Sequence, residues 1–529
     1  MTLQPLDWLV VAAYLAAVLF VGLVVVRRQA GAEGYFLAGR QLRWPFLGAS
    51  MFASNISAEH FVGLAGSGFA IGMAIGGFEW MAVYCIVPLV VLFLPFYVRN
   101  RIYTVPEFLE RRFSPGVRLL FSGLMVVLSV LTKVSISLWA SSIVFSDILG
   151  WPRFWVIWGV GLVTCLYTMK GGLRAVVYTD ALQTTVLLLA AVVLTVLGLD
   201  AVGGWSGLQA KLPAAMFSMV RPATDPDVPW PGMFIGVFVL GSFYWSMDQV
   251  LVQRAFAAKS LDEGRKGAIF CAFLKLATPF LLVLPGLVAK ALHPDLGQAD
   301  HAFPKLLETL MPTGLRGLTV AGIAAALMGH ISATYNSVAT LVTRDFYLRF
   351  RPEADPARQV RVGRIAVLAV FVLGALWAPV IGQFRSLWIY LQAVQAYLMM
   401  PMAGVFFLGV LWRRTNAAGV FGCVATAVVV SPVLIADAQQ HFLPFLAHPL
   451  LQPWLHRALV AFLVGMAALV LVSLATTPPP AARLATTTLA GMRSQPKDPL
   501  EASGHGLRDY RLWLGLVLGI TTALWYAMR

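Results

Sequence analysis

The sequence predicts an all-α protein that crosses a membrane about fourteen times, with a five-plus-five inverted repeat at its centre. Three observations lead there. Of 529 residues, 59% are hydrophobic and only 12% charged, too little charge to solvate a globular surface. The apolar residues come in blocks of about 20, each long enough as a helix to cross the ~30 Å hydrocarbon core, and they do not alternate as barrel strands would. Two of the blocks, five spans apart, are interrupted by polar and small residues in the same relative place.

In chain order the expected spans lie near 7–26, 45–73, 76–98, 117–148, 152–169, 176–200, 232–253, 267–290, 315–343, 365–381, 387–411, 416–436, 457–475 and 511–527. The first, about Leu9 to Val26, exceeds a signal-peptide core and has neither basic residues before it nor an Ala-x-Ala site after it, so it reads as a retained helix. Loops 27–43, 99–112, 254–266 and 344–364 carry excess Arg and Lys and are expected in the cytoplasm. Loops 200–229 and 290–316 do not, which puts both termini on the extracytoplasmic side. The stretch 476–508 opens with Pro478-Pro-Pro480, is rich in Ala, Thr and Ser, and reads as a flexible cytoplasmic linker. The chain therefore divides into 1–44 (extra helix and cytoplasmic loop), a ten-helix core 45–412, two further helices in 413–475, the linker 476–508 and a last helix in 509–529.

Several function classes are disfavoured by composition. The net charge of +15 lies in alternate loops rather than on one face, which is a topology signal and no nucleic-acid footprint. Cys85, Cys165, Cys271 and Cys423 all sit inside apolar runs, as small buried hydrophobes rather than disulfides or metal ligands. No catalytic motif stands at a useful place, and Glu107 and Glu110 beside Arg111 and Arg112 read as a solvated charge network, so an enzyme is not expected. A channel would show a ring of carbonyls or like charges, and no such filter motif occurs.

The interrupted spans carry the functional signal. Span 45–73 holds Ala53-Ser-Asn-Ile-Ser-Ala-Glu59 followed by Gly63, Gly66 and Gly68, and span 232–253 holds Gly241-Ser-Phe-Tyr-Trp-Ser-Met-Asp-Gln249. Polar backbone at membrane depth is tolerated where it faces a cavity or bound solute. Close packing through small residues is the competing explanation, but it has no need of Asn55 or Glu59. Ionisable groups in the same region are Glu59, His60, Glu79, Lys133, Asp180, Asp248, Lys275 and His330, which must line a wet cavity, pair, or sit at a helix end. Asp180 and Asp248 lie near expected cytoplasmic ends and read as interfacial. Glu79 and Lys275 are the better site residues, because a carboxylate and an ammonium can bind hydroxyls while holding each other's charge.

Six stretches in order carry a family resemblance over nearly the whole chain: Tyr35-Phe-Leu-Ala-Gly-Arg40, Ala53 to Gly68, Ile102-Tyr-Thr-Val-Pro-Glu-Phe-Leu-Glu-Arg-Arg-Phe113, Gly171-Gly-Leu-Arg-Ala-Val-Val-Tyr-Thr-Asp180, Tyr244-Trp-Ser-Met-Asp-Gln-Val-Leu-Val-Gln-Arg254 and Asn336-Ser337. They resemble the sodium/solute symporters, and within them the sodium/glucose (galactose) cotransporter branch. The resemblance implies the inverted-repeat fold typified by LeuT, with one extra helix before the core and three after it. It implies secondary active import of a glucose- or galactose-like hexose across a cell (inner) membrane by alternating access, with sodium as the coupling ion and no cofactor. It places sugar contacts at His60, Glu79, Lys275 and Gln392 with Asn55 nearby, and an aromatic gate at Tyr244 followed by Trp245. A pyranose offers a fence of hydroxyls and one apolar face, which suits these residue types. Gly241 and Ala82 stand where some relatives carry a polar contact.

The resemblance weakens at the ion. It implies sodium held by the backbone carbonyls of Ala53, Ile56 and Ala326 and by two adjacent serines, but the run reads Ala326-Leu-Met-Gly-His-Ile-Ser-Ala-Thr-Tyr-Asn336, with Gly329 and His330 at the serine places. Sodium needs about five or six oxygens, so Ser57, Ser332 or water would have to substitute. Three readings stay open: a remodelled sodium site, proton coupling through His330 with Asp180, and uncoupled transport. A sugar sensor that does not transport is a fourth.

Overall fold

The computed structural model describes residues 3–21, 31–57, 59–383, 387–440, 442–494 and 506–529. Among these there is no strand, only two isolated bridges, Leu42 with Ala258 and Arg221 with Pro229. The main helices are α1 (Pro5–Phe20), α2 (Trp44–Asn55), α3 (His60–Ile71), α4 (Met73–Arg99), α5 (Pro115–Leu149), α6 (Arg153–Val202), α7 (Gly232–Ser246), α8 (Gln249–Phe256), α9 (Leu261–Leu292), α10 (Leu315–Phe350), α11 (Pro356–Ile381), α12 (Leu387–Leu411), α13 (Ala417–Gln440), α14 (Trp454–Ala475) and α15 (Tyr510–Ala527).

Among the described residues nine helices are long and apolar enough to cross a membrane, or ten when α7 and α8, bent by 47°, count as one span. The remaining expected spans fall short of that test for separate reasons. The span at 7–26 is described only to residue 21, and its remainder, with the first four residues of the basic loop 27–43, lies outside the described residues. The span at 45–73 is split into α2 and α3, and α15, 18 residues long, opens on Tyr510 and Arg511, which lower its apolar content. The spans at 152–169 and 176–200 were expected to be separate; Leu173–Val202 is long and apolar enough by itself and Arg153–Leu166 is shorter, while the helical backbone of α6 runs through Gly171-Gly172 between them, 50 residues in all. Glycine in a helix interior costs up to about 1 kcal/mol but keeps its N–H and C=O in the ladder, so the pair need not end the helix.

The interrupted helices are the two expected ones. α2 ends where Ile56 turns extended (φ −83°, ψ 122°), and the chain resumes at His60 with a wide π turn. α7 ends at Met247, and Asp248 starts α8 as its N-cap, its Oδ1 accepting from the Val250 N–H at 2.9 Å, a contribution of about 1 kcal/mol. α4 and α9 carry the same wide turn at corresponding depths, Leu89–Phe93 and Pro279–Val283, as expected of helices in equivalent places of a repeat. α10 is the innermost span, 89% of its apolar window being buried, whereas α14, at 28%, presents most of its surface outward. That places α10 against the breaks.

Backbone contact fixes α3 on α9. A Cβ on Gly286 would run into the Ala65 carbonyl, and one on Gly68 into the Val283 carbonyl. Gly286→Ala is expected to destabilise the fold by about 1–3 kcal/mol through overpacking, read as a lower thermal unfolding midpoint of the purified protein.

Where a flexible linker was expected, residues 476–494 contain two short helices, Ala481–Thr487 and Leu489–Arg493, and Asn100 Nδ2 donates to the Thr486 carbonyl at 3.2 Å. Alternating Pro and small polar residues gave no apolar periodicity to betray them. Residues 495–505 of the same stretch lie outside the described residues.

Candidate functional site

Both breaks open onto one cavity. Its lining draws Asn55, Glu59 and His60 from the first break, Phe78 and Glu79 from α4, Thr132 and Lys133 from α5, and Gly241, Tyr244 and Trp245 from α7. Lys275 of α9, His330 of α10, and Trp388, Gln392 and Gln395 of α12 complete it. All five residues expected at a solute site therefore share a wall, as do both aromatic gate residues.

Local contacts set the geometry. Trp80 Nε1 donates to the Leu276 carbonyl at 3.1 Å, locking α4 and α9 in a register that places the preceding residues, Glu79 and Lys275, face to face. Lys275 Nζ donates to Glu79 Oε2 at 2.5 Å, and both side chains are buried. The other carboxylate oxygen, Oε1, lies 3.8 Å from His60 Nε2, while His60 Nδ1 accepts from the Ser57 N–H at 3.4 Å. That second bond leaves Nε2 as the N–H facing the carboxylate in the neutral ring. The Lys275 ammonium also lies 5.6 Å from the Trp245 ring centre and 5.7 Å from that of Phe52, so aromatic faces surround the cation where water does not. Asn55 Nδ2 donates to the Tyr244 hydroxyl at 3.2 Å, which ties the two breaks together, and Asn55 Oδ1 has no hydrogen-bond partner in the protein. A free acceptor and a charged pair at one wall are what a hydroxyl-rich ring requires.

A second buried pair braces the floor. Lys133 Nζ donates to both oxygens of Asp248 at 2.6 Å, joining α5 to the break between α7 and α8. Asp248, expected at an interface, is instead buried, and so is Asp180. Asp180 Oδ2 accepts from Ser50 Oγ at 2.6 Å and lies 3.6 Å from Arg254 Nη2. Hydropathy put both near span ends, but Asp248 caps α8 and Arg254 of α8 reaches over to Asp180. Asp180 was also the expected companion of His330. The group facing the imidazole is Glu59, whose Oε1 lies 3.9 Å from His330 Nε2.

An outer cavity, lined by Trp139, Arg153, Asp300, His301 and Trp454 among others, shares Phe78 and Trp388 with the inner one. These two rings, 6.0 Å apart and edge to face, partition the two spaces. Gln395 and Trp388 went unremarked in the sequence, although the spacing 388, 392, 395 sets them on one helical face with Gln392.

Interrupted helices of a repeated bundle, converging on a polar cavity at mid-depth, define a secondary transporter. Known proteins narrow this. Residues 35–426 match the Sodium:solute symporter family. The chain is 37% identical over 476 residues to sodium/myo-inositol cotransporter 2 of Mus musculus, covering 82% of this chain and 71% of that protein. It is 35% identical over 533 residues to sodium/glucose cotransporter 4 of Danio rerio, covering 92% and 81%. Among solved structures, a Na+-coupled sialic acid symporter in a substrate-bound outward-open state superposes with a TM-score of 0.77 at 23% identity, over 90% of this chain and 99% of that one. Mhp1, a nucleobase-cation-symport-1 family transporter, superposes at 0.55 with 17% identity, over 88% and 99%. The chain belongs to the Sodium:solute symporter family, has the LeuT-type fold, and is a transporter rather than an enzyme. Membership implies a small-molecule solute, sodium as the coupling ion and a multi-pass membrane location.

Proposed function

We propose that this chain imports a small polyhydroxylated ring, a hexose such as glucose or galactose or a cyclic polyol such as inositol, by alternating access. In this reading Glu79, Lys275, His60, Asn55 and Gln392 are the hydroxyl partners, and Tyr244 and Trp245 form the aromatic floor that must move for inward release. The observation that carries it is the ion-paired carboxylate and ammonium at the wall of one cavity with an imidazole and amides. Such a pair keeps spare lone pairs and N–H groups for hydroxyls without leaving a net charge to repel a neutral solute. Relatives named for glucose and for myo-inositol support the same chemistry, since both solutes are six-membered rings of hydroxyls. The basic loops support a cytoplasmic side at 99–112, 254–266 and 344–364, with both termini outside an inner membrane and residues 45–412 as the moving core.

The test is counterflow with the purified protein in liposomes preloaded with unlabelled solute, using labelled glucose, galactose and myo-inositol. At least one of these is expected to accumulate transiently and saturably. Equilibration that neither saturates nor responds to preloading would replace a carrier with a pore, and tight binding without flux would leave a sensor.

A further inference from the structure

We infer that the imidazole of His330 stands in for the family's sodium ion, so that solute binding and exchange in this chain need no sodium. The inference deepens the transporter reading above and rests on it.

The case begins at the donor set. Of the ligands that family membership implies, the carbonyls of Ala53, Ile56 and Ala326 remain, but Gly329 and His330 offer no hydroxyl. Three carbonyls are too few for a hard cation that takes about six oxygens. The hydroxyls nearest in sequence, Ser57 and Ser332, have their hydrogens committed to the Glu59 carboxylate and to the Gly329 carbonyl (3.0 Å), and neither stands at the two positions the family uses. A side chain cannot simply be restored at 329 either. A Cβ there would meet Gln183 Oε1 and lie 3.1 Å from Asp180 Oδ1, so the Gln183 side chain on α6 would have to move aside.

What occupies the junction is the buried His330 ring. Its Nδ1 lies 2.5 Å from the Ser54 carbonyl oxygen and donates to it. That carbonyl belongs to the last turn of α2, where the break leaves backbone acceptors without helical partners. Nε2, with no hydrogen-bond partner of its own, faces Glu59 Oε1 on the far side of the break at 3.9 Å. One covalently held ring thus ties α10 to the end of α2 at the interruption, a connection that a bound cation would otherwise supply. The unpartnered oxygens beside Gly329, Asp180 Oδ1 and Gln183 Oε1, do not rebuild a cation site, because the Arg254 guanidinium 3.6 Å from Asp180 Oδ2 already brings positive charge. Lys133, paired with Asp248, adds a second buried cation to the same cavity wall as His330.

The deciding measurement needs no solute: binding of labelled 22Na+ to the purified wild-type protein, with choline as the replacement ion. No saturable sodium binding is expected, whereas saturable binding would overturn the inference. Solute counterflow in choline chloride is expected within twofold of that in sodium chloride, and a tenfold or greater dependence on sodium would equally overturn it. His330→Asn, which keeps a donor near the Nδ1 position, is expected to retain solute affinity within about threefold. His330→Leu is expected to lose at least tenfold in both salts, and unchanged affinity in His330→Leu would remove the bridging role. A protein that exchanges no hexose or polyol in any salt would refute the transport reading while the 22Na+ result still stood.

Discussion

Glu79→Gln is expected to lower solute affinity by roughly two to three orders of magnitude and to destabilise the protein by about 3–5 kcal/mol. The Lys275 ammonium has no other carboxylate among its described contacts, and the aromatic rings of Trp245 and Phe52 hold it at only 5.6 and 5.7 Å. Removing the carboxylate charge strands a buried cation, and the loss includes the desolvation of that cation as well as the 2.5 Å bond itself. Binding titrations and thermal unfolding on the same preparation read the two effects. The decisive comparison is Glu79→Leu combined with Lys275→Met. An apolar pair of similar volume should recover most of the stability, because burying the ion pair was itself costly, but should recover none of the solute binding. Recovery of both would demote the pair to a structural brace.

Asp248→Asn should nearly abolish exchange while leaving solute affinity within a few-fold of wild type. The amide still caps α8 through its oxygen, so the local turn survives, but Lys133 loses the charge that holds it in a two-pronged grip at 2.6 Å. α5 and the α7–α8 bend are then no longer tied through the membrane interior. An interaction between two elements that rearrange in the cycle acts on the interconversion of states more than on binding. Initial rates of counterflow against equilibrium binding separate the two, and a parallel fall in both would contradict this assignment.

Much of this arrangement could be read from the chain before folding was considered, because a membrane permits few explanations for polar backbone. Asn55, Glu59 and Asp248 inside apolar runs mark both breaks, and their equal placement five spans apart implies the repeat. Glu79 and Lys275 were legible as a carboxylate and an ammonium able to hold each other's charge, but the register that brings them together across 196 positions of sequence was not. The register comes from Trp80 and Leu276, a side chain to backbone bond that no pattern in one sequence encodes. Depth was the weakest inference. Asp180 and Asp248 looked interfacial because hydropathy measures distance along a helix, while burial depends on what packs over its end, here α8. Gly171-Gly172 lies inside the helical run of α6: glycine permits a turn, and nothing in the neighbouring residues compels one.

The Ser50, Asp180 and Arg254 triad has a bearing on how the carrier turns. Arg254 is entirely shielded, its Nε donating to Ser50 Oγ at 3.0 Å and its Nη1 to the Val250 carbonyl, so it joins α2, α6 and α8. If those helices part to release cargo inward, a guanidinium and a carboxylate must both be hydrated before they separate, since neither can be left bare in a medium of low polarity. Parting this contact therefore requires water to enter at the latch as the helices move.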